Sequence, residues 1–257
     1  MELLPLDSWQ VDNLRLTLYS DTPIDVSATK WWKTVTNESP ESVTLMERES
    51  VVQEHGPWKG VRLVTTTRSN RVDWVACGPI QAEEQSPPAL PTIGSFTQLL
   101  TPFCEMADTW LSGAECPHPR RLAFGAVLLL PVASPVLGLA QLQPYLPNIV
   151  IDPDNSADFF FQINRPRTIR VEGDDEIGVN RLTKWSVPAL RVVGFSAEGS
   201  NLFPLANRPT LYACRLELDI STAADRIKEL PGSSTTLYSK LVEIGLELAK
   251  CGDKVDQ

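Results

Sequence analysis

LAFGAVLLLPVA, residues 122–133, is the most apolar run of the chain, and its reading decides the fold. It is too short to cross a bilayer, which takes roughly 20 residues. A short continuous apolar run of this kind is what a central strand needs when both of its faces are buried. The chain is therefore expected to build around a sheet with this segment inside it.

Working outward, NLRLTLYS (13–20) alternates Leu14, Leu16 and Leu18 with Arg15, Thr17 and Tyr19, the period of a half-buried strand. SATKWWKTVTN then predicts a helix, with Ser27 as its N-cap and an apolar stripe of Trp31, Trp32 and Val35. SVTLMERESVVQEH, KGVRLVTTTR and NRVDWVACG read as strands punctuated at Gly56-Pro57 and Ser69-Asn70. On the other side of the apolar run, PVLGLAQLQPYLPN predicts a short helix ended by Pro144 or Pro147, and ADFFFQINRP a strand. PTLYACRLELDIS is a strand with one apolar face. SFTQLLTPFCEMADTWLS (95–112) and TTLYSKLVEIGLELAKCG predict amphipathic helices; Pro102 removes one backbone hydrogen bond from the first and can kink it or shift its start, and Gly252 caps the second.

Neither half alternates strands with helices regularly, so a doubly wound nucleotide fold is not expected. The fold class is α+β: two antiparallel-rich sheet units with packed helices. The acidic and Pro-rich stretch EEQSPPALPT (83–92) marks the boundary between an N-terminal unit, 1–85, and a C-terminal unit, 93–257, which can also pack as one body.

The 257 residues carry a net charge of −9, with a sequence pI of about 4.8. That balance argues against binding the phosphate backbone of nucleic acid except through a local basic rim. Five cysteines at wide spacing, with no CxxC, fit reduced thiols better than a disulfide framework. The opening MELLPLDSWQ lacks the basic and apolar regions of a signal peptide, so a cytoplasmic location is expected, without membrane attachment.

The chemistry-bearing residues are sparse. His55 lies in QEHGPW and His118 in CPHP, and neither has the partners of a triad. Cys116 and His118 lack a second pair to complete a tetrahedral metal site. Phosphate loops of the GxxxxGK[ST] and GxGxxG types are missing, and no cofactor is expected. DPDNSAD (152–158) and EGDDE (172–176) are acidic; the first reads best as an Asx-type turn and the second as a hairpin tip. Their alternative is a metal-dependent hydrolase or nuclease that holds Mg²⁺ on Asp152, Asp154 and Asp158 or on the 172–176 cluster.

The sharper candidate is a set of Asn-Arg pairs. QINRPRTI (162–169), VNRLTKWS (179–186) and NRPT (207–210) lie close in sequence. If 159–170 and 177–187 form a hairpin, Asn164, Arg165, Arg167, Arg170, Asn180, Arg181, Lys184 and Trp185 can share a rim. Arginine forks there bind carboxylate or phosphate, and Trp185 stacks on a planar ligand or base. The competing reading is structural: Asn serves turns, Pro166 ends a ladder, and Arg165 or Arg181 pairs with Asp174, Asp175 or Glu176. Phe159, Phe161 and Ile163 fit one buried face by parity, which leaves Arg167 and Lys184 accessible to solvent.

The order of NLRLTLYS before a helix, SFTQLLTPFCEMADTWL, RRLAFGAVLLLPVASPVLGLAQLQPYLPN, and CRLELDIST before a final helix resembles a sporadically distributed bacterial family of uncharacterised proteins. The resemblance spans most of the chain and brings no catalytic motif. It implies a partner-dependent role of the kind encoded in mobile-element or phage-defence gene neighbourhoods. Together with seven tryptophans, some of which, such as Trp9, Trp31 or Trp58, are expected at an interface, this points to a non-catalytic binding or assembly protein. It would act with a protein partner or as a homo-oligomer.

Overall fold

A computed structural model describes residues 2–26, 31–78, 90–171, 176–191, 195–198, 201–204, 210–224, 230 and 233–254. The chain opens with β1 (Gln10–Ser20), α1 (Trp31–Thr36), β2 (Ser42–Met46), β3 (Val51–Trp58), β4 (Val61–Arg68) and β5 (Arg71–Cys77). α2 (Phe96–Leu111), β6 (Pro119–Val132), α3 (Pro135–Leu142), β7 (Phe160–Asn164), β8 (Arg167–Arg170) and β9 (Glu176–Ser186) follow. β10 (Ala189–Arg191), β11 (Phe195–Glu198), β12 (Asn201–Pro204), β13 (Thr210–Thr222) and α4 (Ser234–Cys251) complete it. The Ser27 cap and the Pro-rich boundary up to residue 89 fall outside the described residues.

Eleven of the strands form one antiparallel sheet in the order β2-β3-β4-β5-β1-β6-β13-β9-β7. β10 pairs with β13 and β8 with β9, while β11 and β12 form a separate hairpin. The apolar run is β6, and it lies inside the sheet between β1 and β13, as its composition predicts. Alternate residues Leu122, Phe124, Ala126, Leu128 and Leu130 face the core and are buried.

The α+β class holds, with the sheet dominant. The two expected sheet units, however, are not separate. β1 hydrogen-bonds to β6 over Gln10–Ser20 and Pro119–Leu129, which fuses the strands of both halves. Each half still repeats one plan: a long strand, a helix, a meander whose last strand returns beside the first, and a closing helix. Leu14, Leu16 and Leu18 face Ala126, Phe124 and Leu122 across the seam. Their apolar side chains drive the union, since burial of each leucine or phenylalanine is worth roughly 1.5–3 kcal/mol.

The four helices of the described residues belong to one face. α2 packs over β1, α4 over β6 and β13, and α3 over β13 and β6. Leu237, Leu241, Ile244 and Leu248 of α4 are buried there at the spacing the sequence predicts. The seven tryptophans lie in this core, not at an interface. Trp31, Trp110, Trp74 and Trp32 contact one another in series, and Trp9, Tyr145 and Trp185 form a second cluster. A ring that buries so much apolar area gains most where water is excluded. That is why tryptophan count alone misleads as an interface signal.

SVTLMERESVVQEH, read as one strand, is two. Glu47–Glu49 form a turn of 3-10 helix, and Ser50 takes a left-handed φ of 51°, so the chain reverses between β2 and β3.

Candidate functional site

The hairpin expected from 159–170 and 177–187 forms: β7 and β8 pair with β9. It does not gather its polar residues into one rim. Strand side chains alternate between faces with period two. Arg181 and Trp185 therefore point to the helix-covered face, opposite Ile220 and Leu216, while Asn180 and Lys184 point to the other face, opposite Ser221 and Glu217.

Each rim residue has a structural partner. Trp185 is fully buried, and its indole N–H donates to Thr183 Oγ1 at 3.1 Å, so it offers no stacking surface. Arg181 is buried as well, and its backbone N–H donates to Asn164 Oδ1 at 2.9 Å. Asn164 Nδ2 donates to Asn180 Oδ1 at 2.9 Å. Arg165 forks onto Asp253, which follows α4. Arg167 reaches Glu247 of α4 at 3.3 Å, and Arg170 reaches Glu176 at 3.6 Å. Lys184 bonds Glu217 at 3.1 Å. The acidic partners are Asp253, Glu247 and Glu217 from distant segments and, for Arg170, the neighbouring Glu176; Asp174 and Asp175 lie outside the described residues. Arg167 and Lys184 are partly accessible, with 29% and 36% of their side chains exposed, but both are ion-paired. Phe161 and Ile163 are partly buried as parity predicts, and Phe160, of the opposite parity, is exposed.

The sheet face away from the helices presents a lattice of charges. Arg15 lies across Gly125 and reaches Asp219 at 3.5 Å. A Cβ at position 125 would meet Arg15 Nε at 3.0 Å, so the guanidinium lies in space that the glycine leaves open. Lys184 and Arg215 both bond Glu217. Asn13, Arg15, Gly125, Lys184, Glu217 and Asp219 line a shallow depression at the centre of this face. Further along, Arg71 and Arg121 flank the ring of Tyr19, with guanidinium carbons 5.2 Å and 5.4 Å from its centroid. Asp73, nearly buried, accepts from Arg68, Arg71 and Thr17. The strong alternation in β1 foreshadows this face. Its partners on β6, β5 and β13 are invisible in sequence, because they come from remote strands.

Acidic and thiol chemistry is committed elsewhere. Asp152 Oδ1 accepts from the backbone N–H of Asp154 and of Asn155, and Oδ2 from Asn155 Nδ2. This is the Asx-type turn the sequence suggests, and these bonds hold the carboxyl below its ordinary pKa. Among the described residues no three His, Cys, Asp or Glu side chains stand together to hold a metal ion. The cysteines are free, and burial pushes the thiols of Cys104, Cys116 and Cys214 up to about 12, far from the reactive thiolate.

No helix among the described residues is long and apolar enough to cross a membrane. No family model and no curated protein sequence matches the chain.

Proposed function

We propose that the chain is a non-catalytic binding or assembly protein of the cytoplasm. It works with a protein partner or with further copies of itself, in a mobile-element or phage-defence setting. The observation that supports this reading is the broad sheet face that, among the described residues, no helix covers. Its charges are fixed in place by ion pairs: Arg15 with Asp219, Lys184 with Glu217, Arg71 with Asp73. Preset charges of both signs suit recognition of a complementary protein surface, where they select the partner and its orientation more than they add affinity. Their internal pairing suits an anionic polymer poorly, since each phosphate would compete with a carboxylate already in place. The buried thiols and the turn-bound Asp152 point the same way. The setting rests on the family resemblance alone.

The test is co-purification of the tagged chain with the products of neighbouring genes. A stoichiometric partner, released by the charge reversals Arg15→Glu and Lys184→Glu, is the expected result. Activity on a phosphodiester that disappears with chelator or with Asp154→Ala would contradict the reading.

A further inference from the structure

Among the described residues β2 is hydrogen-bonded on one side only, to β3, and forms one edge of the sheet. An edge strand is a template for another strand, and proteins usually blunt it with lysine, proline or a bulge. Ser42–Met46 has no lysine, no proline and no charge, and pairs with β3 in unbroken register. Val43 and Leu45 share a face and are 59% and 54% exposed. Trp32 of α1 lies against Gly56 of β3, which the backbone of Glu41 also approaches. Carboxylates bracket the apolar pair, with Glu41 before it, Glu47 and Glu49 after it, and Glu54 on the adjacent strand opposite Val43. Arg48 is the single cation among them.

We infer that β2 is a docking edge, at which an extended segment of a partner protein adds as a further antiparallel strand. The segment carries apolar side chains at alternate positions and Lys or Arg at both ends. Main-chain bonds supply the affinity of such an addition, and the alternate side chains supply its specificity. A second copy of this chain does not fit. An antiparallel β2–β2 pair centred on Thr44 matches Val43 with Leu45 but sets Glu41 opposite Glu47. Like charges directly opposite destabilise a pair. A shift of two residues either way puts a carboxylate opposite Leu45 or Val43. A basic-ended strand turns the same carboxylates into cross-strand ion pairs. The inference rests on the reading that the chain acts with a protein partner, and it names where that partner's strand sits.

The test uses the whole chain and two labelled, end-blocked peptides with the same Thr-Val-Thr-Val-Thr centre. One peptide ends in paired lysines, the other in paired glutamates. Anisotropy should show the lysine peptide binding at least about tenfold more tightly. Hydrogen exchange should show it protecting the amides of 42–46. Val43→Thr with Leu45→Thr, which leaves the charge unchanged, should weaken it, and Val43→Lys with Leu45→Lys should abolish it, at an unaltered melting temperature. Equal affinity for the two peptides, no binding, binding without protection of 42–46, or binding that survives both double variants overturns the inference. Isolation from cells separates it from the reading beneath it. A natural partner still held by the lysine variant overturns the edge and leaves the partner reading standing. A wild-type chain that holds no partner removes both.

Discussion

Arg165 and Asp253 form a two-pronged ion pair, Nε to Oδ1 at 2.7 Å and the terminal nitrogen to Oδ2 at 2.9 Å. It ties the corner between β7 and β8 to the chain just beyond α4. The Asp253 side chain is only 4% exposed, and its backbone N–H donates to the carbonyl of Tyr145. Removing the arginine leaves a buried carboxylate without its cation. Arg165→Ala should cost about 3 kcal/mol in urea unfolding, the lower end for a broken buried pair because Arg165 is partly wet. Asp253→Asn, which keeps the shape, should cost less. Equal, negligible losses would mean that the Asn-Arg segments serve something other than the fold.

Gly245 carries the packing of α4 on β6. A Cβ there would lie 2.6 Å from Phe124 Cε1. Helix propensity alone favours Gly→Ala by about 1 kcal/mol. Overpacking a tight core costs about 1–3 kcal/mol. Gly245→Ala should therefore destabilise the chain despite the better helix former. Adding Phe124→Leu should recover part of the loss, a coupling that a double-mutant cycle in urea measures directly.

Glu54 provides a pH signature. Burial raises its carboxyl above the ordinary glutamate value. The folded state then holds a proton where the unfolded chain has released it, so stability falls as pH rises through that window. Glu54→Gln removes the penalty. Its melting temperature should exceed wild type at neutral pH, and the gain should shrink to nothing below the ordinary glutamate pKa. A gain that persists in strong acid would show a cause other than ionisation.

The tryptophans should behave as core. All seven are buried, so iodide should quench the native fluorescence far less than that of the urea-unfolded chain. Trp185→Ala should cost about 3–5 kcal/mol by opening a cavity beside Trp9 and Tyr145. Strong native quenching would return some of the rings to the surface.

The elements that sequence revealed are those with local causes. β6 announced itself as an unbroken apolar run, β1 and β13 by alternation, α4 by helical spacing, and the Asp152 turn by its own Asx chemistry. What stayed hidden depends on remote pairing. Nothing in NLRLTLYS says that Leu16 will face Phe124, so the fusion of the two halves through β1 and β6 was not legible. The rim failed for a related reason. Spacing of Asn180, Arg181, Lys184 and Trp185 already implied two faces by parity, but which face the helices cover is a tertiary fact. The β2 edge has a weak sequence signal, the charged ERES immediately after SVTLM, which is where the turn falls.

The central claim is that this chain works in a complex, and native mass spectrometry of material isolated gently from its own cells tests it most directly. The expected result is a species heavier than the 28.4 kDa chain by the mass of a second polypeptide, dissociating into the two. A single species at the mass of the chain alone, at every concentration and salt tried, would contradict it.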